Sequence, residues 1–215
     1  MRAARFSKQL EQDYYSRNWP SEAVPYLHLE PYLQCWLNPE RIFKGKTVLE
    51  IGAGECGYSR MIVSRFGPKK VIACELFRER MLPAARANRN SRLSFVAGDC
   101  FKLPLRNESC DVVWGSLVLH QLLNLEDAVA EIRRVLSPQG LYLGFEPNPY
   151  NLGIVYRFLF KHHSPNQYLL TPGDLGVFRA AGFDLETTFF YAKFPRLRSR
   201  FLTTCMGIRA NKTCG

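Results

Sequence analysis

The chain has 215 residues, which is enough for one packed α/β domain and short for two full domains. Hydrophobic residues make up 47% and charged residues 22%, the usual composition of a soluble globular protein. No apolar run approaches the roughly 18 to 20 residues of a membrane span, and the N-terminal stretch MRAARFSKQLEQDYY lacks the apolar core of a secretory signal. The seven cysteines form no C-x-x-C pair, which argues against a disulfide framework or structural zinc site and favours the reducing cytoplasm.

The formal net charge is +10 at pH 7. No acidic residue follows Glu186, so positive charge is concentrated near the end of the sequence, and a smaller basic cluster precedes Glu11. Such clusters can serve nucleic acid, an anionic substrate or an anionic membrane surface, or can form a solvated face without a partner. The residues are Arg2, Arg5 and Lys8 at the start and Lys193, Arg196, Arg198, Arg200, Arg209 and Lys212 at the end.

Strands and helices alternate in the predicted elements. TVLEI at 47–51 is rich in β-formers and is followed by glycines, which predicts a buried parallel strand ending in a tight turn. A helix over 58–66 follows and ends at Gly67-Pro68. The next elements are strands over 71–76, 92–99, 110–119 and 140–146, and helices over 78–90 and 124–136, the latter with Asn124 as its N-cap.

The last elements are a helix and two strands. TPGD at 171–174 predicts a helix start with Thr171 as N-cap, and Gly182 predicts its end. Strands are expected over 183–192 and, from a weaker pattern, over 201–210. The whole series predicts a parallel sheet with helices on both faces. Ligands of such sheets bind outside the carboxyl ends of the strands, where we expect Glu50 to Gly57, Glu75, Asp99, Gly115, Ser116 and Glu146.

The loop after the first strand, in VLEIGAGECG at 48–57, raises the question of its ligand. Gly52, Gly54 and Gly57 spell G-x-G-x-x-G, and Glu75 follows at the distance of a dinucleotide fingerprint. The carboxylate of Glu50 would repel a pyrophosphate in this site of reduced dielectric. It suits a ligand with an ammonium or sulfonium group, such as S-adenosylmethionine, whereas Glu75 fits either cofactor.

Five stretches between about Lys46 and Asn148 resemble, in order, the motifs of class I S-adenosylmethionine-dependent methyltransferases. EIGAGECG resembles the acidic-x-G-x-G loop, Glu75 resembles the acid that holds both ribose hydroxyls, and GDC at 98–100 resembles the motif whose aspartate contacts the adenine amino group. CDVVWGSLVLHQL and EIRRVLSPQGLYLGFEPN resemble the fourth motif and the helix, turn and strand after it. The third glycine of the family pattern falls at Cys56, with Gly57 one residue late.

The resemblance is to the broad small-molecule group that includes ubiquinone- and menaquinone-biosynthesis-type enzymes. It implies a Rossmann-like fold, with a seven-stranded, mostly parallel sheet and helices on both faces. It also implies S-adenosyl-L-methionine as cofactor. The cofactor-binding residues that it implies are Glu50, Gly52, Ala53, Gly54, Glu75, Leu76, Asp99, Cys100 and Ser116. Two of these have structural alternatives: Glu50 as a helix-capping acid and Asp99 as an ordinary turn aspartate.

Two segments lie outside this core. We expect residues 1–40 to form a helical cap over the active site and residues 41–215 to form the methyltransferase domain, with a lid insertion at about 149–172. Leu152, Val155 and Leu159 share a helical face, which fits either a stripe packed on the core or one wall of a hydrophobic acceptor pocket.

His120 is the candidate general base for an alcohol or phenol acceptor, because it follows the fourth strand at the cofactor edge. The alternative is a histidine hydrogen-bonded to the backbone of the turn. We expect no metal, since the adjacent His162 and His163 do not point together on a helix. The candidate acceptor-binding residues are Tyr15, Glu146, Tyr150 and His162.

Three functions follow as hypotheses. The first is a methyltransferase for a small, hydrophobic or lipid-like acceptor, most simply at oxygen. The second is an RNA methyltransferase that uses the basic C-terminal stretch, although no N-P-P-Y-type tetrad follows the fourth strand and we expect no appended RNA-binding domain. The third is a non-catalytic cofactor-binding module. The sequence does not decide the oligomeric state.

Overall fold

The structure is a computed structural model and describes residues 30–34, 36–160, 167–191, 194 and 196–213. The strands are β1 (Thr47–Ile51), β2 (Lys70–Glu75), β3 (Leu93–Ala97), β4 (Cys110–Ser116), β5 (Leu136–Pro147), β6 (Phe183–Phe190) and β7 (Cys205–Lys212). The helices are α1 (Glu30–Gln34), α2 (Pro39–Phe43), α3 (Gly57–Arg65), α4 (Arg78–Ala87), α5 (Leu125–Val135), α6 (Leu152–Phe160) and α7 (Gly176–Ala180).

The seven strands form one sheet in the order β3-β2-β1-β4-β5-β7-β6. Strands β1 to β5 pair in parallel, and β7 runs antiparallel between β5 and β6. The carboxyl ends of β1, β2, β4 and β5 therefore meet at one edge of the sheet. The start of β7 reaches the same edge, because Cys205 pairs with Pro147.

The sheet is covered on both faces, as predicted. Along β1, Leu49 and Ile51 pack into one apolar cluster with α5 and α7, and Val48 packs into a second cluster with α3 and α4. A strand that is buried on both faces has a continuous apolar sequence, which explains the unbroken run in TVLEI. The predicted mostly parallel seven-stranded fold with helices on both faces is confirmed.

Helix ends follow local hydrogen bonding. The predicted N-cap of α5 is confirmed, because Asn124 Oδ1 accepts the backbone N–H of Asp127 at 3.3 Å. At the predicted TPGD start, Thr171 and Asp174 do exchange hydrogen bonds, but α7 begins one turn later, at Gly176. Gly182, at φ +74°, ends this helix as expected.

Three strand boundaries differ from the predictions by three residues or more. β5 begins at residue 136 instead of 140, so Ser137-Pro138 lies inside the strand, beside a register shift in its pairing with β4. β4 ends at Ser116, and a short 3₁₀ helix, Leu119–Gln121, follows it. β7 begins at residue 205 instead of 201. Apolar periodicity locates strands well and their ends poorly, because the ends depend on pairing partners.

The expected cap is described only from residue 30. Its described part packs against one face of the sheet, where Tyr32 stacks on Phe145 at 5.4 Å and Trp36 stacks on Phe190 at 5.5 Å between ring centroids. The domain boundary at residue 40 stays a prediction. Tyr15, His162 and His163 lie outside the described residues.

Helix α6 forms most of the described part of the expected lid. None of its residues is buried, and Leu152 and Leu159 are exposed. The interpretation of Leu152, Val155 and Leu159 as a core stripe is therefore wrong. In the part of the chain that the structure describes, no helix has both the length and the apolar content needed to cross a bilayer.

Candidate functional site

The glycine loop between β1 and α3 has three residues in the left-handed region. Gly52 has φ +60°, Gly54 has φ +53° and Cys56 has φ +60°. Cys56 thus adopts the conformation for which the family pattern has glycine, at a steric cost that a non-glycine residue must bear. The backbone N–H of Ala53 donates to the carbonyl of Cys74 at 3.0 Å and ties the loop to the end of β2.

Close neighbours explain why two of these positions are glycine. A Cβ on Gly52 would lie 2.6 Å from Cγ2 of Val118, and a Cβ on Gly54 would lie 2.7 Å from Nη2 of Arg80. Side chains from the turn after β4 and from α4 therefore pack against the loop backbone and leave no room for a Cβ at either position.

Glu75, at the end of β2, is buried and organises the loop. Its Oε2 accepts the N–H of Gly54 at 2.8 Å, and its Oε1 accepts the N–H of Phe77 at 3.1 Å. The guanidinium of Arg80 lies 3.8 Å from Glu75 Oε2 and 3.7 Å from Glu55 Oε1. The sequence analysis missed Arg80, because no motif of the sequence marks its position on α4.

Glu50, at the end of β1, is buried beneath the loop. Its Oε2 accepts the N–H of Ser59 at 2.8 Å and also the Ser59 hydroxyl. Burial raises the pKa of this carboxyl to about 8, against the lowering effect of the Ser59 hydrogen bonds. Glu50 therefore caps the first turn of α3, which is the structural role that the sequence left open beside cofactor binding.

The loop after β3 lies beside Glu75, because the N–H of Gly98 donates to the Glu75 carbonyl at 3.0 Å. Asp99 Oδ1 accepts the N–H of Phe101 at 3.0 Å, which shapes the turn. Burial raises the pKa of the Cys100 thiol, so this cysteine is protonated and unsuited to act as a nucleophile. Leu76 and Ser116 are half-buried at the same edge of the sheet.

The turn after β4 contains a second residue that the sequence analysis missed. Leu117 has φ +56°, is exposed, and donates its N–H to the carbonyl of Phe145 at 2.9 Å. A leucine in the left-handed region is a steric outlier that its surroundings must hold in place. Its conformation directs the chain from Ser116 into the 3₁₀ helix that carries His120.

His120 and Glu146 form a buried pair at the ends of β4 and β5. His120 Nδ1 lies 2.5 Å from Glu146 Oε2. Glu146 Oε1 accepts the N–H groups of Val118 at 3.1 Å and Leu119 at 2.8 Å. With Nδ1 donating to the carboxylate, a neutral imidazole carries its lone pair on Nε2. Glu146 thus holds both the ring of His120 and the backbone of the turn.

The other side of His120 faces the described part of the expected lid. The ring of Phe158 in α6 meets the imidazole edge to face, with 6.1 Å between centroids. The carbonyl of His120 accepts the N–H of Tyr168 at 2.9 Å. Segments before and after residues 161–166 therefore both contact the turn that carries His120.

Tyr150 lies farther along the chain from β5, in an aromatic group. Its ring is 5.7 Å from that of Phe189, and the guanidinium of Arg200 lies over it at 3.7 Å. The structure thus brings Glu50, Glu75, Asp99, Ser116, His120 and Glu146 to one edge of the sheet, with Tyr150 just beyond it.

Residues 49–144 match a family model described as a methyltransferase domain. These residues are just under half of the chain, and over them the chain is similar to a methyltransferase domain. The match runs from β1, ahead of the glycine loop, into β5; it spans the ends of β1 to β4 and stops before Glu146. The resemblance found in the sequence motifs is confirmed.

Two curated relatives are similar to parts of the chain. The demethylmenaquinone methyltransferase of Thermus thermophilus is 29% identical over 140 residues, which are 62% of this chain and 63% of that protein. The malonyl-[acyl-carrier protein] O-methyltransferase of Methylococcus capsulatus is 32% identical over 95 residues, which are 43% of this chain and 34% of that protein. The chain thus aligns with less than two thirds of the length of either relative.

A solved structure shares the fold of the methyltransferase domain. The S-adenosylmethionine-dependent methyltransferase of Mesorhizobium loti superposes with a TM-score of 0.68 at 19% identity, over 86% of this chain and 98% of that one. S-adenosylmethionine, on which that protein depends, is also the group that the sequence motifs imply for this chain. The residues present fit this group, because the glycine loop lies between the carboxyl groups of Glu50 and Glu75.

Proposed function

We propose that the protein is an S-adenosylmethionine-dependent methyltransferase that methylates an oxygen atom of a small, hydrophobic or lipid-like acceptor. The observation that carries the proposal is the buried pair of His120 and Glu146, with 2.5 Å between Nδ1 and Oε2. The pair lies at the edge of the sheet where the glycine loop also lies. An imidazole fixed by a carboxylate is the usual arrangement of a general base for a hydroxyl group.

The cofactor, when bound, supplies an electrophilic methyl group on sulfur. Glu75 would hold the ribose hydroxyls, the loop from Gly52 to Gly54 would lie against the ligand, and Asp99 would contact the adenine amino group. The expected contribution of the protein to transfer is alignment of the acceptor with the methyl group, since an in-line displacement depends strongly on orientation.

His120 would take the proton of the acceptor hydroxyl on Nε2. Glu146 would keep Nδ1 protonated and stabilise the imidazolium that forms, so we assign it a positioning role behind His120 in place of the direct acceptor contact expected from the sequence. Burial of the pair excludes water, which strengthens the interaction between the two side chains.

Three observations support a hydrophobic acceptor. Helix α6 presents Phe158 to His120, Tyr150 contributes a further ring, and one relative is named for demethylmenaquinone. The other relative, an O-methyltransferase named for a malonyl group, supports an oxygen acceptor instead. Tyr15 and His162 remain further candidates for contact with the acceptor.

The proposal can be tested by a methyl-transfer screen with labelled cofactor against pooled metabolites, lipids and RNA. We expect label in the lipid or small-molecule fraction, and an oxygen ester or ether on the product. His120→Ala should then lower turnover by about 10² to 10⁴ while cofactor affinity barely changes. Label on carbon or nitrogen, or normal turnover by folded His120→Ala, would overturn the assignment of a base-assisted O-methyltransferase.

RNA is the second candidate acceptor, since Arg196, Arg198 and Arg200 are all exposed. RNA binding would weaken steeply with salt, because contacts with phosphates release counterions. If activity on a neutral small molecule is insensitive to salt, and the three arginines can be neutralised together without loss of turnover, the RNA hypothesis is excluded. No transfer to any pool, together with normal cofactor binding, would favour a non-catalytic module.

A further inference from the structure

An exposed apolar face lies on α6 and on the turn before β7. A surface patch of large apolar side chains is unusual unless it contacts a partner or a membrane. We call the following six residues the apolar face, with the exposed fraction of each: Leu152 82%, Tyr156 57%, Leu159 69%, Phe160 71%, Phe201 67% and Leu202 67%.

The two parts of the apolar face adjoin each other. Asn151, directly before α6, donates from Nδ2 to the carbonyl of Phe201 at 3.2 Å. The ring of Tyr150 lies 6.5 Å from that of Phe201. The start of α6 and the turn before β7 therefore form one continuous surface.

Hydrogen bonds fix the turn that carries Phe201 and Leu202. The buried side chain of Asn148 donates to the carbonyls of Arg200 at 2.9 Å and Thr203 at 2.7 Å. Ser199 Oγ accepts the N–H groups of Phe201 at 3.3 Å and Leu202 at 3.2 Å. The two apolar side chains are thus held outward by an ordered turn.

The surroundings of the apolar face carry positive charge. Neither 147–173 nor 187–215, the two stretches that build it, contains an Asp or Glu. The arginines of these stretches are largely exposed, and Arg200 lies over Tyr150 beside the face. Exposed aromatic and aliphatic side chains bordered by arginines are typical of segments that lie in the interface of an anionic membrane. The exposed arginines of α6 and of the turn before β7 are Arg157, Arg196, Arg198 and Arg200.

We propose that the apolar face docks on the surface of an anionic lipid bilayer. Charge favours this occupant over two others. Residues 1–29 carry four basic and three acidic side chains, so this segment offers the arginines little negative charge. A second copy packed symmetrically through the same face would bring arginines against arginines, which is unfavourable.

The docking surface is separated from His120 by a single helix. Phe158 of α6 contacts His120, whereas Tyr156, Leu159 and Phe160 of the same helix are exposed. A membrane-dissolved acceptor would therefore need to pass only α6 to reach the imidazole. This consequence rests on the proposed function, but docking itself does not.

Vesicle flotation tests the docking surface without any methyl transfer. The full chain should float with vesicles of phosphatidylcholine containing phosphatidylglycerol, and far less with phosphatidylcholine alone. Leu159→Ser with Phe160→Ser should weaken binding to the anionic vesicles at least about tenfold, since both side chains leave the interface. Leu123→Ser, at an exposed leucine outside the apolar face, is the matched control and should bind as the wild type does.

The arginines provide an independent variant that keeps the apolar side chains. Replacing Arg196, Arg198 and Arg200 by Gln should weaken binding to anionic vesicles and reduce its dependence on salt. The proposal is overturned if the wild type floats with neither vesicle or if the Leu159 and Phe160 variant binds like the wild type. It is also overturned if that variant instead converts a dimer to a monomer in sedimentation. Because flotation involves no catalysis, its failure is distinct from failure of the proposed function.

Discussion

Arg80 extends from α4 across the glycine loop, so that its guanidinium lies 3.8 Å from the carboxylate of Glu75. It also lies 3.7 Å from Glu55 and would meet any side chain placed on Gly54. The residue expected to hold the ribose is therefore paired with a cation that belongs to the protein. A ligand that carries its own positive charge must compete with this cation or share the carboxylate with it.

Arg80→Met should strengthen binding of S-adenosylmethionine by about three- to tenfold, because the variant keeps the length of the side chain and removes the competing charge. The gain should be smaller for S-adenosylhomocysteine, which lacks the sulfonium charge. Calorimetry measures both affinities, and Arg78→Met, at an exposed arginine two residues earlier, is the control. Weaker binding by the Arg80 variant would mean that its guanidinium contacts the cofactor directly.

Glu75→Ala should weaken cofactor binding by about 2 to 4 kcal/mol, or thirty-fold or more, through loss of two hydrogen bonds to a charged acceptor. The structure adds a second effect: the N–H groups of Gly54 and Phe77 lose their acceptor, so the melting temperature should also fall. Glu75→Gln keeps one acceptor oxygen, so its melting temperature should fall less than that of Glu75→Ala. Its affinity for the cofactor should still be reduced. An affinity within twofold of the wild type would place the ribose elsewhere. Glu79→Ala, exposed on α4, is the control.

The raised pKa of Glu50 predicts that cofactor binding is coupled to release of a proton. Burial raises its pKa to about 8, so in the free protein it is largely protonated at pH 7. A bound cation favours the ionised carboxylate, so the bound state holds fewer protons and affinity should rise as the pH increases toward about 8. Calorimetry in buffers of different ionisation enthalpy should show up to one proton released at pH 7, and Glu50→Gln should abolish that release. Zero release by the wild type would leave Glu50 with the capping role at Ser59 alone.

Glu146→Gln should lower kcat with little change in the KM for the cofactor, because the amide no longer fixes the proton on Nδ1 of His120. The pH–rate profile should lose the limb that reports an ionising base, in both this variant and His120→Ala. Glu126→Gln makes the same chemical change at an exposed position of α5 and should leave the profile unchanged. Loss of thermal stability with a normal profile would show that the pair is structural.

Gly144→Ala should destabilise the fold by about 1 to 3 kcal/mol or more, because the added Cβ would lie 2.3 Å from the carbonyl oxygen of Gly115 in the neighbouring strand. Gly176→Ala is the opposite case, since a Cβ there meets nothing within 4 Å and helix α7 begins at this residue. That variant should be as stable as the wild type or slightly more so. Chemical denaturation measures the free energy of unfolding of both variants. Equal values would show that β4 and β5 move apart easily to accept the added Cβ.

The places of Glu50, Glu75 and Asp99 near the carboxyl ends of their strands could be predicted from sequence, because a short β-forming run followed by glycine or an acid is a local signal. The contact between His120 and Glu146 could not be, since 26 residues separate them and only parallel pairing of β4 with β5 brings them together. Arg80 was missed because its contacts with Glu75 and Glu55 depend on how α4 packs beside the loop, which no local motif marks. The exposure of α6 was missed because periodicity shows which residues share a face and not what covers that face.

The reversal of β7 has a consequence for how acceptor preference can change among related chains. Because β7 runs against its neighbours, the connection from Phe190 to Cys205 returns to the edge where β5 ends. Described residues from two distant parts of the chain, 148–160 and 196–204, therefore follow or precede strand ends at the same edge, while the candidate cofactor-binding residues all precede residue 117. Insertions or substitutions in either segment can reshape that edge without disturbing the glycine loop. The cofactor half of the site and the acceptor half are thus free to diverge at different rates.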